Sequence, residues 1–281
     1  MKVFLGAATN HAIREAGPFL DSVAKNCSHA EVWLLIYPKD QRRPELADLL
    51  GRFKNLRVRT VFRLGRRIRP WILRVDRVTE GTLRRAGGWR RLLRGCLHIT
   101  QERFLAARDF LLEKERRNCP LAICDIRDVL VQADPWKEPL QKVVTGEEGE
   151  RMGRCPTNRG WYQELYGPAA LEEIANQPIL CSGVTLGKSA PMREYLEAMS
   201  AEIWNRLLPI GERGYFDQAI HNHILRGGTL PFELSPIAGG RISTVGYPKS
   251  CRVSWAPDQK TVLVDGAAPT IVHQYDRVLP R

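Results

Sequence analysis

The chain contains the stretch Leu121-Ala-Ile-Cys-Asp-Ile-Arg-Asp-Val-Leu-Val-Gln-Ala-Asp-Pro-Trp136, in which a short apolar run ends abruptly at two carboxylates and an arginine. Leu121 to Cys124 lie between Pro120 and this charged segment, a pattern typical of a fully buried strand in a parallel sheet. In open α/β sheets, ligands bind beyond the carboxyl ends of such strands. We therefore expect the functional site to begin here.

Asp125 and Asp128 follow this predicted strand, where they can hold a hard cation together with phosphate oxygens. Mg²⁺ and Mn²⁺ prefer one or two protein carboxylates and take their remaining ligands from water and substrate phosphate. Arg127, between the two carboxylates, can pair with phosphate or fix the second carboxylate. The alternative is an ordinary strand end, at which an aspartate caps a turn and an exposed Arg-Asp pair binds nothing.

The segment Asp125-Ile-Arg-Asp-Val-Leu-Val-Gln-Ala-Asp-Pro135 resembles the metal-binding segment of nucleotide-sugar-dependent glycosyltransferases of the GT-A fold. In that superfamily an Asp-x-Asp or related carboxylate pair follows a buried strand. Three further segments resemble it in the expected order: Cys181-Ser-Gly-Val-Thr-Leu-Gly187, Tyr215-Phe-Asp-Gln-Ala-Ile220 and Ile271-Val-His-Gln-Tyr-Asp-Arg277. Two residues, not one, separate Asp125 from Asp128, which leaves open which carboxylate contacts the metal directly.

The resemblance implies an α/β fold of the GT-A type, with a Rossmann-like, mostly parallel central sheet flanked by helices, and the composition of residues 63–94 adds a basic helical insert. It implies one domain over residues 1–281, with a nucleotide-sugar-binding half at 1–135 and an acceptor-binding half at 136–281. The implied reaction moves a sugar from a nucleotide-diphosphate sugar, with a UDP-sugar favoured, to a hydroxyl of a glycan or lipid-linked saccharide. Mn²⁺ or Mg²⁺ is the implied cofactor, and polysaccharide biosynthesis the implied setting.

The resemblance also assigns roles to individual residues. Asp125, Asp128 and His273 are the implied metal ligands, and a neutral imidazole suits such a site at pH 7. Asp217, at the start of a predicted helix, is the implied candidate for acceptor deprotonation or for binding a sugar hydroxyl. The implied contacts to the nucleotide sugar are Thr9, Asn10, Arg103, Asp125, Arg127, Ser182 and Gly183.

Each of these roles has a structural alternative. Asn10 can simply cap the helix that follows it, and Asp217 can do the same for its own helix. Arg103 can form a surface ion pair with Glu102 or Asp109. The segment 158–166, Asn-Arg-Gly-Trp-Tyr-Gln-Glu-Leu-Tyr, has the aromatic and polar groups that bind sugars, but a packed helix surface can have the same composition.

Apolar runs and helical periodicity predict a β-α-β-α-β series at the N-terminus, typical of a parallel sheet with covering helices. The predicted strands are 2–8, 31–37 and 56–62, and the predicted helices are 12–26 and 44–52. The sequence has no Gly-x-Gly-x-x-Gly and no Walker A motif, which argues against the common dinucleotide- and ATP-binding folds. A nucleotidyltransferase is the competing enzyme class, but Gly6-Ala-Ala-Thr-Asn10 lacks the glycine-rich phosphate loop that it requires.

Further along, periodicity predicts helices at 99–117, 189–205 and 217–225, with Thr100 and Ser189 as N-caps of the first two. Apolar runs predict strands at 178–187 and 271–273. Residues 145–153 are rich in Gly and Glu and are predicted to form a polar loop. His221 and His223 are two residues apart, which places them on different sides of a helix and disfavours a metal pair.

The net charge of +12 is concentrated in one insert. Residues 63–94 contain eleven arginines and only two acidic residues, Asp76 and Glu80, which gives this segment a net charge of +9. Arginines interleaved with Trp and Leu suit an interfacial helix on an anionic membrane, although nucleic acid or an acidic polysaccharide has similar requirements. The remaining alternative is a solvated helical hairpin whose arginine stems cover apolar surface. Nucleic acid is the least favoured partner. A basic binding module without catalysis is the competing function that is not enzymatic.

The seven cysteines form an odd set without Cys-x-x-Cys spacing, which indicates buried reduced thiols and neither a disulfide framework nor a structural zinc site. No apolar run approaches the roughly 18 residues that span a bilayer, and the N-terminus reads as a strand and not as a signal peptide. These features predict a cytoplasmic protein, at the inner face of the membrane if the insert binds lipid.

Overall fold

The computed structural model describes residues 1–9, 11–65, 67–79, 87–207, 216–228, 230–247 and 251–279. The first eight strands described along the chain are β1 Lys2–Ala7, β2 Ala30–Ile36, β3 Leu56–Thr60, β4 Leu121–Asp125, β5 Val129–Val131, β6 Val143–Arg151, β7 Pro178–Gly187 and β8 Phe232–Ser235. All but β5 belong to one seven-stranded sheet with the order β3-β2-β1-β4-β7-β6-β8.

The central sheet is mostly parallel. Strands β3, β2, β1 and β4 run parallel to one another, as do β6 and β8, whereas β7 is antiparallel to both of its neighbours. Leu121 to Cys124 have no exposed surface, because apolar clusters cover both faces of the sheet at this strand. The predicted α/β fold with a mostly parallel sheet is therefore confirmed.

Helices cover both faces of this sheet: α1 His11–Arg14, α2 Gly17–Asn26, α3 Pro44–Arg52, α4 Arg69–Val78, α5 Gly87–Arg94, α6 Ile99–Leu112, α7 Pro156–Ile174, α8 Ser189–Asn205 and α9 Asp217–Arg226. The helix predicted over 12–26 is broken into α1 and α2. Pro18 is the reason, since it lies in the first turn of α2, where its missing N–H costs nothing, and it cannot continue a helix that arrives from α1.

The loop predicted at 145–153 is wrong, because residues 145–151 belong to strand β6. Three β-branched residues, Val143, Val144 and Thr145, favour an extended conformation at its start. The backbone is paired with β7 on one side and β8 on the other, and the Thr145 hydroxyl donates to the carbonyl oxygen of Cys181 at 3.0 Å. The predicted caps are also displaced, since His98 and Lys188 precede the two helices instead of Thr100 and Ser189.

The C-terminal part adds short strands, namely β9 Ile242–Thr244, β10 Val253–Trp255, β11 Val262–Val264 and β12 Ile271–His273. Strand β12 pairs antiparallel with β5 and parallel with β9, so that His273 lies opposite Val129 and Thr244. Because β5 begins directly after Asp128, this pairing brings the end of the chain to the carboxylates that follow β4.

The basic insert is attached firmly to the rest of the molecule. The backbone N–H of Leu64 donates to the carbonyl oxygen of Gly95 at 2.9 Å, which joins the two ends of the insert. Ile72 of α4 and Leu93 of α5 are buried in the same apolar cluster as helix α6. None of the helices in the described ranges has the length and apolar content that crossing a membrane would require.

Candidate active site

Three predicted metal ligands converge at the carboxyl end of strand β4. Asp125 is the last residue of that strand, and Asp128 precedes β5. His273 Nε2 lies 3.5 Å from Asp125 Oδ2 and 3.5 Å from Asp128 Oδ1. One ligand atom from each of the three side chains falls within 4.8 Å of the others. The sequence separation between Asp125 and Asp128 therefore does not keep either carboxylate away from the cluster.

His273 is oriented toward these carboxylates by contacts on its other nitrogen. Its Nδ1 lies 3.4 Å from Cys181 Sγ and 3.5 Å from Thr244 Oγ1. With a cation bound, a proton on Nδ1 would leave the lone pair of Nε2 directed at that cation between Asp125 and Asp128, the arrangement usual for a metal-binding histidine. Within the described residues Nε2 is buried and has no hydrogen-bond partner, an arrangement that is costly unless something else satisfies it. Two carboxylates and one imidazole fit Mn²⁺ or Mg²⁺.

The charges in this cluster stabilise one another. Burial alone would lower the pKa of His273, but Cys181, Asp128 and Asp125 beside it raise that pKa well above its usual value. Burial alone would raise the pKa of Asp125, but Arg103 and His273 outweigh it and hold the pKa well below its usual range. Asp125 is therefore ionised at neutral pH, the form in which a carboxylate binds a cation.

Gly183 makes room for the cluster. A Cβ added to this residue would lie 2.2 Å from His273 Cε1, 2.6 Å from His273 Nε2 and 2.9 Å from Asp125 Oδ2. These separations are far below ordinary contact distances, so a residue with a side chain cannot occupy this position without displacing the imidazole. The bare backbone of β7 is thus part of the geometry of the site.

Arg103 of helix α6 links the cluster to Asp217. It is 2% exposed, and it donates hydrogen bonds to Asp125, to the carbonyl oxygen of Ser182 at 3.1 Å and to Asp217 Oδ2 at 3.0 Å. The Ser182 hydroxyl donates to the same Oδ2 at 3.1 Å. Burial and the charge of Asp125 outweigh Arg103, so the pKa of Asp217 lies above its usual value. The surface ion pair considered for Arg103 is absent from the described residues, because Arg94 occupies Glu102 and Asp109 instead.

These side chains border a cavity of about 230 Å³. The predicted residues that line it are Arg103, Asp125, Ser182, Gly183, Asp217 and His273. The side chain of Asp125 is 41% exposed because it faces this space. The start of helix α7 forms another wall with Thr157, Asn158 and Trp161, of which Asn158 and Trp161 belong to the aromatic and polar segment 158–166. The site thus combines the cluster of Asp125, Asp128 and His273, which could hold a cation, with a buried ion-pair network and with polar and aromatic side chains of the kind that bind sugars.

Sequence reasoning missed Glu148, Gln218 and Arg277, which also line the cavity. Glu148 is 3% exposed, and burial raises the pKa of its carboxyl despite hydrogen bonds from Cys181 and Gln218. The predicted loop at 145–153 conceals this residue, and the β-branched run that begins β6 is the sequence signal that could reveal it. Gln218 donates to Asn158 Oδ1 at 2.7 Å and thereby ties helix α9 to α7.

Other predicted contact residues lie elsewhere. Arg127 is 49% exposed, pairs with Asp276 at 3.2 Å and with Glu15 at 3.6 Å, and does not line the cavity. Thr9 follows β1, and its carbonyl oxygen accepts from the N–H of Ala12 at 3.2 Å. Asn10, for which a nucleotide contact or a helix cap was expected, lies outside the described residues.

Comparison with solved structures finds this architecture in the galactosyltransferase LgtC in complex with donor and acceptor sugar analogues. The match has a TM-score of 0.50 at 16% sequence identity and covers 96% of this chain and 86% of the LgtC chain. An active-site mutant of LgtC matches with a TM-score of 0.51 at 17% identity and the same coverage. No family model and no curated protein sequence matches the chain. The chain therefore has the GT-A fold that the sequence resemblance implied, and at this identity the likeness is one of fold.

Proposed function

We propose that the protein is a metal-dependent glycosyltransferase that moves a sugar from a nucleotide-diphosphate sugar to a hydroxyl of a glycan or lipid-linked acceptor. The observation that carries this proposal is the convergence of Asp125, Asp128 and His273 on a GT-A fold, with Asp125 and His273 at the wall of a polar cavity. A UDP-sugar remains the favoured donor. The division into a donor half at 1–135 and an acceptor half at 136–281 also remains a prediction.

Asp125, Asp128 and the Nε2 atom of His273 would hold the cation, and both carboxylates are proposed as direct ligands because each lies 3.5 Å from Nε2. When bound, Mn²⁺ or Mg²⁺ would offset the negative charge of the diphosphate leaving group. The protein itself contributes Arg277, a cation that lines the same cavity and can contact phosphate oxygens. Arg103 fixes Asp125 through a charge-assisted hydrogen bond, so the carboxylate is oriented before substrate arrives.

Two further carboxylates in the cavity have different surroundings, which supports different roles. Asp217 accepts from Arg103 and Ser182 on one oxygen, so its orientation is fixed and its charge is compensated, as suits the binding of a sugar hydroxyl. Burial raises the pKa of Glu148 as it does that of Asp217, but Glu148 has no cationic hydrogen-bond partner within the described residues, which suits a group that takes a proton from the acceptor hydroxyl. Acceptor deprotonation by Asp217 remains the alternative. The pH dependence of kcat in the variants Glu148→Gln and Asp217→Asn distinguishes the two roles.

The wider setting stays a proposal as well. A lipid-linked or glycan acceptor in polysaccharide biosynthesis is consistent with a cytoplasmic enzyme whose insert 63–94 contacts an anionic membrane. The charge of that insert supports this arrangement, since eleven of its residues are arginines.

The proposal is tested by titrating UDP into the full-length protein with and without Mn²⁺, in a calorimeter. We expect UDP binding that requires the metal, that Asp128→Ala abolishes and that Asp48→Ala leaves intact, since Asp48 is 66% exposed on helix α3. UDP, GDP and CMP are compared in turn, because the base is a separate question. The proposal would be contradicted if nucleotide affinity were the same with and without Mn²⁺, or if Asp128→Ala bound nucleotide as wild type does.

A further inference from the structure

Helix α4 of the basic insert presents an exposed face that combines apolar and basic side chains. Trp71 is 61% exposed and Val78 is 75% exposed, and Ile68, just before the helix, is 51% exposed. Large apolar side chains normally lie inside, and a group of them on one short segment marks an interaction surface. We call this surface the α4 face and define it by Ile68, Trp71, Arg74, Arg77 and Val78.

Helical spacing and burial both place these residues on the outer side of α4. Trp71, Arg74 and Val78 are spaced i, i+3 and i+7, which puts them on one side of a helix. The opposite side carries Ile72 and Asp76, which are buried. Within the described residues 67–79, Asp76 is the only acidic residue, so no exposed carboxylate in that range offsets the arginines.

The α4 face is not a product of loose packing. Ile72 is 4% exposed in the main apolar cluster, and the ends of the insert are joined by the hydrogen bond between Leu64 and Gly95. The exposed fractions of Trp71 and Val78 already include any cover from neighbouring arginine stems. A solvated hairpin with its apolar surface covered by those stems therefore does not describe this helix.

We propose that the α4 face binds the surface of a bilayer that contains anionic lipids. Trp and aliphatic side chains insert at the boundary between headgroups and acyl chains, while the arginines meet lipid phosphates. Nucleic acid would use the arginines and Trp71, but it offers no apolar region for Ile68 and Val78. A second copy of the chain in a twofold contact would place like charges against each other.

The basic insert lies next to the wall of the proposed active-site cavity along the chain. Helix α5 ends at Arg94, and Thr100, in the first turn of α6, lines the catalytic cavity. The insert is therefore only a few residues from the wall of the site. A membrane held at the insert would bring a lipid-linked acceptor near that cavity, a consequence that rests on the proposed function, whereas membrane binding itself does not.

The test is co-sedimentation of the full-length protein with vesicles of phosphatidylcholine alone or with phosphatidylglycerol added, at several salt concentrations. The variant Trp71→Ser/Arg74→Gln removes one apolar and one basic group from the α4 face. The control Leu50→Ser/Arg42→Gln likewise removes one apolar and one basic side chain, but from the exposed segment 42–50, where Leu50 is 43% exposed. Far-ultraviolet circular dichroism of each variant checks that it is folded, and brominated lipids that quench Trp fluorescence report insertion.

We expect binding to anionic vesicles that weakens with salt and is at least tenfold stronger than binding to phosphatidylcholine. The Trp71→Ser/Arg74→Gln variant should bind anionic vesicles more weakly, with about fivefold of the loss in affinity due to the arginine and a larger part due to the tryptophan. The control should bind like wild type. Trp71→Phe should retain binding but lose most of the quenching. No preference for anionic vesicles, equal binding by variant and wild type, or lipid-free dimers that the Trp71→Ser change disrupts would each overturn the proposal. So would tight binding to RNA without binding to vesicles. Vesicle binding is measured without any sugar donor, so its outcome is separate from that of the proposed function.

Discussion

Replacing Gly183 with alanine should distort the proposed metal site of Asp125, Asp128 and His273 without removing any of these ligands. The new Cβ would lie 2.2 Å from His273 Cε1, whereas ordinary contacts begin at 3.4 Å, so the ring has to move by about 1.2 Å. His273 is 1% exposed and is packed against Cys181 and Thr244 on its other side, which leaves it little space. Overpacking of this kind costs about 1–3 kcal/mol of folding free energy.

The larger effect is expected on metal binding, because ligand distances tolerate deviations of only about 0.2 Å. Changes that merely reorient a ligand lower metal affinity by about 10–100-fold, so direct displacement of His273 should cost at least about 100-fold. Electron paramagnetic resonance of free Mn²⁺ during titration measures this affinity, and thermal unfolding measures stability. Gly160→Ala is the matched control, since an added Cβ at this helical glycine has no atom within 4 Å. Wild-type Mn²⁺ affinity in Gly183→Ala would refute the assignment of His273 as a ligand.

Three further predictions concern the charged network and the buried histidine. Arg103→Leu should lower the free energy of unfolding by about 3 kcal/mol, because it leaves the buried carboxylate of Asp217 without its cation, and Asp217→Asn in the same chain should restore part of the loss in urea titrations. Glu148→Gln should lower kcat by about 10²–10⁴-fold and remove the acidic limb of its pH profile, whereas Asp217→Asn should lower kcat/KM and keep that limb; the reverse result would make Asp217 the proton acceptor. Burial lowers the pKa of His221 from 6.5 to about 3. Between these two pH values the imidazole is protonated in the unfolded chain and neutral in the folded chain, so the free energy of unfolding should fall as the pH drops from 6.5 toward 3. Urea titrations at several pH values should show a shallower fall for His221→Gln, and an equal slope would exclude His221 as the cause.

The N-terminal half of the fold was predictable because its signals are local. Apolar runs such as 32–36 and the helix at 44–52 follow simple periodicity, and the strand before Asp125 is marked by its abrupt change from apolar to charged residues. Strand β6 was not predictable in the same way. Its β-branched start is short, the Gly and Glu residues that follow have low strand propensity, and pairing with β7 and β8 on its two sides keeps them extended.

The site was predictable as a set of residues but not as a geometry. The resemblance named Asp125, Asp128 and His273, yet their proximity depends on β12 pairing with β5 across more than a hundred residues of sequence. Arg103 illustrates the limit, since nothing in the sequence separates a surface arginine from one that is buried between two carboxylates. Glu148 was lost together with its strand, because a polar residue in a predicted loop gives no indication that it faces a cavity.

The central claim, sugar transfer from a nucleotide-diphosphate donor, is tested most directly by hydrolysis of UDP-, GDP- and CMP-sugars with Mn²⁺ or Mg²⁺. Glycosyltransferases often pass the sugar slowly to water, so no acceptor is needed. We expect metal-dependent release of one nucleotide, with a UDP-sugar as the donor, by wild type and by Asp48→Ala but not by Asp128→Ala. No release from any donor, together with no metal-dependent nucleotide binding, would contradict it and leave a basic interaction module on a GT-A fold.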